Sequence, residues 1–177
     1  TMDKTLYDLS YKMPIFKGKA VNHKSARHNI IKEIQTTPKY SIKSEDIQLT
    51  DCDWHLGESY PKTYWPYAFD AISPCISQSA VEMEFSRWEI GDHWYQWYEQ
   101  GDYHNWHTHG NSMFVGVYYA LLPSGSPSIT FNWQGELINF AVEEGDVIIF
   151  PAYLRHKASV NESSETKVIL SFNLNYR

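Results

Sequence analysis

The hydrophobic rhythm of the chain changes at about residue 85. Before that point the apolar residues recur at helical spacing. Ala26, Ile30, Ile31 and Ile34 form one stripe, and Ser25 can cap the helix they imply, which runs to about Gln35. A second helix is predicted to begin at Ser73 as N-cap, with Pro74 in the first helical position and Ile76, Ala80 and Met83 on one face. Residues 1–22 read as a loosely extended arm in which Met13-Pro14-Ile15-Phe16 can lay a short apolar strand on the body. Residues 36–66, rich in turn formers and aromatics, carry no clear period.

From Phe85 onward the period is two. Strands are predicted at 93–100, 112–122, 128–132, 137–142, 146–150, 155–160 and 166–174, rich in β-branched and aromatic residues. Pro123-Ser124-Gly125-Ser126-Pro127 and Gln134-Gly135 are turns between them. No helical period interrupts the series. The pattern implies a mainly β fold: an all-β sandwich or barrel of jelly-roll type with supporting N-terminal helices. A single domain is expected over 1–177, with the arm and helices of 1–85 packing on a barrel formed by 86–177.

Composition narrows the partners. Net charge is −6 and no run of Lys or Arg occurs, so a nucleic-acid partner is not expected. No apolar stretch of membrane-spanning length and no apolar leader is visible, which leads to the expectation of a cytoplasmic protein without a membrane partner. Cys52 and Cys75 lack a C-x-x-C spacing and read as free thiols. Asn161-Glu162-Ser163 matches a glycosylation sequon and is read as chance. The sequence leaves room for a homodimer.

Candidate chemistry sits in Tyr98-Glu99-Gln100-Gly101-Asp102-Tyr103-His104-Asn105-Trp106-His107-Thr108-His109-Gly110. His107 and His109 are two apart, so on an extended strand they share a face with Cα atoms ~7 Å apart, a workable bite for one metal. A third ligand must come from a neighbouring strand. His156 is the candidate, since Gly145-Asp146 turns, Val147 to Phe150 makes a buried strand, Pro151 ends it and His156 opens the next. Chance pairs are common in a chain with eight histidines, but this downstream context is not. His104 lies at odd spacing from both partners and is expected to face the other way. Three imidazoles suit Zn, Cu, Ni or Fe, and a three-ligand set keeps positions open for chemistry.

A second cue lies in the last strand. Lys167, Ile169 and Ser171 share one face of a segment that otherwise reads as buried. A cation with a hydroxyl four residues on can clamp a carboxylate. Trp97, Trp106 and Tyr118 are candidate pocket-wall aromatics, although each reads first as core.

These residues resemble a known family. From Tyr98 to Leu174 the chain is similar to the 2-oxoglutarate- and iron(II)-dependent dioxygenases, especially the prolyl 4-hydroxylase-like branch, which carries Y-x-x-G-x-x-Y-x-x-H-x-D, a distal His and a Lys about ten residues later. Tyr98, Gly101, His107 and His109 fall at the matching spacings, His156 matches the distal His, and Lys167 follows it by eleven residues. The chain looks closer still to a group of such oxygenases from marine bacteria and their phages. With that group it shares His-x-His, Gly116-Val117-Tyr118-Tyr119, Phe-Pro before the distal His and a Ser-Phe-Asn ending.

The resemblance implies that the jelly roll is a double-stranded β-helix, with Fe(II) held by His107, His109 and His156 and with 2-oxoglutarate and O2 as co-substrates. Lys167 would bind the distal carboxylate, and Tyr98 and Ser171 would help hold it. An unidentified small-molecule or peptide substrate would be hydroxylated, with succinate and CO2 as co-products. One departure stands out: His109 takes the place of the usual carboxylate ligand, which leaves the metal more positive charge. The alternative is a cupin-type metal-dependent enzyme or ligand-binding protein that does not use 2-oxoglutarate. Gly101 with His107-x-His109 fits the first cupin motif, but no acid follows between Asn111 and Val115.

Overall fold

The computed structural model describes residues 13–43, 48–57, 59–127 and 129–177. In chain order the elements are β1 (Phe16–Lys19), α1 (His23–Ile34), β2 (Tyr40–Lys43), β3 (Gln48–Cys52), a 3-10 turn (Trp54–Leu56), α2 (Trp65–Glu82), β4 (Trp88–Tyr98), β5 (His104–His107), β6 (Phe114–Leu121), β7 (Ile129–Trp133), β8 (Glu136–Phe140), β9 (Asp146–Pro151), β10 (Arg155–Ala158) and β11 (Lys167–Tyr176). The strands form two antiparallel sheets, a larger one in the order β1-β9-β6-β11-β4-β3-β2 and a smaller one in the order β5-β10-β7-β8.

Strand alternation explains how the layers stack. On β11, Val168, Leu170, Phe172 and Leu174 point to the helices, where they meet Ile30, Ile72 and Ile76. Ile169, with Lys167 and Ser171 on the same parity, points to the opposite side, toward the smaller sheet. The larger sheet is therefore buried on both faces, and β11 reads as a continuous buried run. Gly116 on β6 is required by this packing. It pairs with Phe172, whose ring lies so close over it that a Cβ would overlap the ring atoms.

Helix α2 departs from expectation. It begins at Trp65, with Pro66 in the tolerated first turn, and Pro74 lies inside it. Pro74 removes one intrahelical hydrogen bond. Burial of Ala68, Ala71, Ile72, Cys75, Ile76 and Ala80 along one side carries the helix through this point. Helix α1 starts at His23, preceded by Asn22 in a left-handed conformation rather than by a capping Ser25. The apolar strand expected at 13–16 is shifted: β1 begins at Phe16 and pairs with β9, while Met13 and Ile15 pack beside the second core. Residues 1–12 of the expected arm lie outside the described residues. The unassigned stretch 36–66 supplies β2, β3 and the 3-10 turn, and β3 adds to the larger sheet beside β4.

Among the described residues no helix is long and apolar enough to cross a membrane. Cys52 and Cys75 are buried free thiols. Asn161 of the sequon is buried, and its side-chain N–H groups donate to the carbonyls of Tyr98 and Glu165.

Candidate metal centre

The site forms where β5 meets β10. His156 and His107 are register partners in that pair. His107 closes β5, and His109, two residues on, is fixed by a backbone N–H donated to the Ala152 carbonyl at 2.9 Å. The three imidazoles offer ligand atoms that all lie within 4.8 Å of one another. Two of them are oriented by the backbone. His107 Nδ1–H donates to the Asn105 carbonyl at 2.7 Å, and His156 Nδ1–H donates to the Leu154 carbonyl at 2.9 Å. Each bond fixes the tautomer that leaves Nε2 with its lone pair facing the centre. His109 stacks on Trp94, and the Asn173 side chain hydrogen-bonds it.

Burial keeps these rings neutral. Loss of solvation pushes His109 down to about 4, and it also lowers His107 and His156, the last of which feels the charge of His107 and His109 as well. Neutral imidazoles in the ionic form a divalent cation needs are thus available without competition from protons at neutral pH.

The six residues singled out from the sequence, His107, His109, His156, Lys167, Tyr98 and Ser171, line one cavity. Lys167 is 4% exposed. It makes no ion pair or hydrogen bond among the described residues, its Nζ lies 4.9 Å from the centre of the Tyr98 ring, and burial pulls its ammonium down to about 8. The Tyr98 hydroxyl is also buried without a partner. An unpaired cation and an unpaired phenol at the deep end of one cavity form a donor set without an acceptor, and unpaired buried groups of this kind are costly.

His104 and Trp106 depart from the sequence expectations. His104 does not face away. The β5–β10 register slips by one residue between His107 and His104, and this bulge brings the His104 ring onto His107 with centroids 3.8 Å apart. Its Nδ1 accepts from Gln96 Nε2 at 3.0 Å, and Gln96 Oε1 accepts from Ser171 Oγ at 3.4 Å. Trp97 and Tyr118 lie on the helix side of the larger sheet, because their strand parity is opposite to that of Gln96, Tyr98 and Tyr119, which do line the cavity. Trp106 stands on the outer face of the smaller sheet beneath Arg155 and Lys157. Trp94, Gln96 and Asn173 were missed, although Gln96 and Trp94 lie two and four residues from Tyr98 on β4 and Asn173 lies two from Ser171 on β11, so the period-two rule would have found them.

No protein-family model and no curated protein matches the chain by sequence. Solved structures do match. The non-heme alpha ketoglutarate dependent epimerase SnoN from nogalamycin biosynthesis superimposes with a TM-score of 0.69 at 12% identity, over 90% of this chain and 75% of that one. A Pseudomonas putida prolyl-4-hydroxylase gives 0.60 at 12% identity, over 90% and 91% of the two chains. The viral collagen prolyl hydroxylase from Paramecium Bursaria Chlorella virus-1 gives 0.58 at 13% identity, over 90% and 94%. The fold is that of the 2-oxoglutarate-dependent oxygenases. Within that double-stranded β-helix, the cavity lies between the larger and smaller sheets and opens to an outer mouth of about 780 Å³ above the histidines.

Proposed function

We propose that the protein is an Fe(II)- and 2-oxoglutarate-dependent dioxygenase that hydroxylates a small-molecule or peptide substrate. The observation that carries this reading is Lys167: a buried, unpaired ammonium in the same cavity as three convergent, neutral imidazoles. A cupin-type protein without 2-oxoglutarate leaves Lys167 and the Tyr98 hydroxyl with nothing to bind.

The residues fit both groups. His107, His109 and His156 would hold the iron. Lys167 would take the distal carboxylate of 2-oxoglutarate, with Tyr98 donating its free hydroxyl and Ser171 standing four residues along the same face. Iron with 2-oxoglutarate and O2 supplies oxidative decarboxylation to succinate and CO2, coupled to hydroxylation of a C–H bond. The chain's own part is to position and to exclude water. Val115, Val117, Ile129 and Ile169 make the cavity walls apolar, and the backbone bonds to His107 and His156 hold the ligand rings before the metal arrives. With three neutral ligands the cation keeps its full double charge, which favours a dianionic co-substrate over neutral competitors.

We place the protein in a reducing compartment such as the cytoplasm, which the two free, buried thiols support. The test of function is succinate release from 2-oxoglutarate with iron(II) and ascorbate. His107→Ala is expected to abolish it. Survival of both metal content and turnover in that variant refutes the assignment.

A further inference from the structure

The floor of the cleft is one face of the β4–β11 pair. From the deep end outward the partners are Tyr98 with Lys167, Gln96 with Ile169 and Trp94 with Ser171. Asp92 and Asn173 follow at the mouth. The two ends carry opposite charge. Asp92 stands six residues from Tyr98 along β4, on the order of 20 Å at ~3.3 Å per residue. Its carboxylate makes no ion pair or hydrogen bond among the described residues.

Asp92 borders two spaces. One is the mouth above the histidines, and the other is an open lobe of about 1430 Å³ walled by Tyr60, Trp65 and His93. Trp54 borders both as well, and it is 59% exposed, unusual for the largest side chain. The other charges of this trench are engaged. Lys62 lies 3.6 Å from Asp53, and Glu89 lies 2.8 Å from Arg177. Among the described residues of the trench, Asp92 is the uncompensated charge, and an accessible indole shares its rim.

We propose that the primary substrate is a cation, whose ammonium or guanidinium group docks between the Asp92 carboxylate and the Trp54 ring while the carbon to be hydroxylated reaches inward over the histidines. The proposal rests on the dioxygenase reading and narrows it to a substrate class. A carboxylate supplies charge-assisted hydrogen bonds to such a group, and an indole face adds cation–π attraction. The polarity of the cleft also sorts its two ligands. A dianionic co-substrate is repelled at Asp92 and drawn to Lys167, and a cationic substrate is held at the opposite end. Free basic amino acids and the Lys or Arg side chains of a polypeptide share this chemistry.

The experiment is anaerobic calorimetry on the full chain loaded with Fe(II) and saturated with 2-oxoglutarate. The probes are L-lysine, L-arginine and hexapeptides with one internal Lys or Arg, each beside a neutral twin containing norleucine or citrulline. Cationic probes are expected to bind at least tenfold tighter than their twins, less so at high salt. Asp92→Asn is expected to remove the preference, and Asp92→Lys to turn it toward hexapeptides carrying Glu. Binding of the free amino acids assigns a small-molecule source, and binding of the hexapeptides alone assigns a side chain; both support the cationic class. Equal affinity for charged and neutral twins, a preference unchanged by Asp92→Asn, or no saturable binding of any cationic probe overturns it. The 2-oxoglutarate titration that precedes the probes separates the two claims, because its failure strikes the dioxygenase reading and its success leaves that reading standing whatever the probes do.

Discussion

His107 and His156 are register partners across the β5–β10 pair, with ring centroids 4.2 Å apart and both Nδ1–H groups turned back onto carbonyls two residues earlier in the chain. The same local device on two strands aims two Nε2 atoms at one point. Metal binding here requires little rearrangement, so it stabilises the folded state directly.

Addition of a divalent metal at about one hundred times its dissociation constant is expected to stabilise the protein by about 2.7 kcal/mol. In a domain of this size that is a rise in melting temperature of about 5–10 °C. His156→Ala is expected to abolish the shift. Differential scanning calorimetry with Mn(II) or Ni(II), before and after chelation, reads it.

Lys167→Met separates function from stability. The apo protein is expected to melt at a higher temperature than wild type, because a desolvated, unpaired cation is replaced by an apolar chain of similar length. Its affinity for 2-oxoglutarate is expected to fall by about ten- to a hundredfold, the range for a lost charge-assisted bond. A fall in melting temperature together with unchanged co-substrate affinity would remove Lys167 from the binding role.

The pH dependence follows from the same group. Burial holds the folded-state ammonium at about 8, below its ordinary 10.5. In the proposed role the charged form would bind the co-substrate, so KM for 2-oxoglutarate is expected to be flat below pH 8 and to rise above it. For folding the sign is opposite. The cost of the buried cation is fully present below pH 8 and disappears as the pH rises from about 8 toward 10.5, so this group makes the apo protein more stable across that window. KM measured from pH 6 to 9.5, and apo melting over the same range and beyond, check both arms.

Gly116→Ala is expected to destabilise the fold by about 1–3 kcal/mol, the usual range for overpacking. The added methyl meets the Phe172 ring, which is buried between the larger sheet and the helices and has little room to move. Chemical denaturation reads the loss, and Phe172→Leu in the same chain is expected to recover part of it.

The run of β-strands and the gathering of six marked residues in one cavity were legible because they rest on short-range rules. Period two placed Lys167, Ile169 and Ser171 on one face and His107 beside His109, and the Gly145 to Pro151 pattern located His156. Helix α2 was misread at its start because Pro74 looks like a first-turn proline, whereas burial of Ala68, Ala71 and Ile72 against the sheet extends the helix back to Trp65. No local rule contains that burial.

The amino-acid sequence by itself determined which residues could carry the chemistry, since residue type and strand parity are properties of the chain alone. Tertiary structure decided which of them meet. A one-residue slip between β5 and β10 turned His104 into the site, the pairing of β4 with β11 set a cation and a carboxylate at opposite ends of one cleft, and burial on both sides of the larger sheet left Lys167 without an ion-pair partner among the described residues. Each depends on register between strands distant in sequence, and register is set by the packing of whole faces rather than by any one segment.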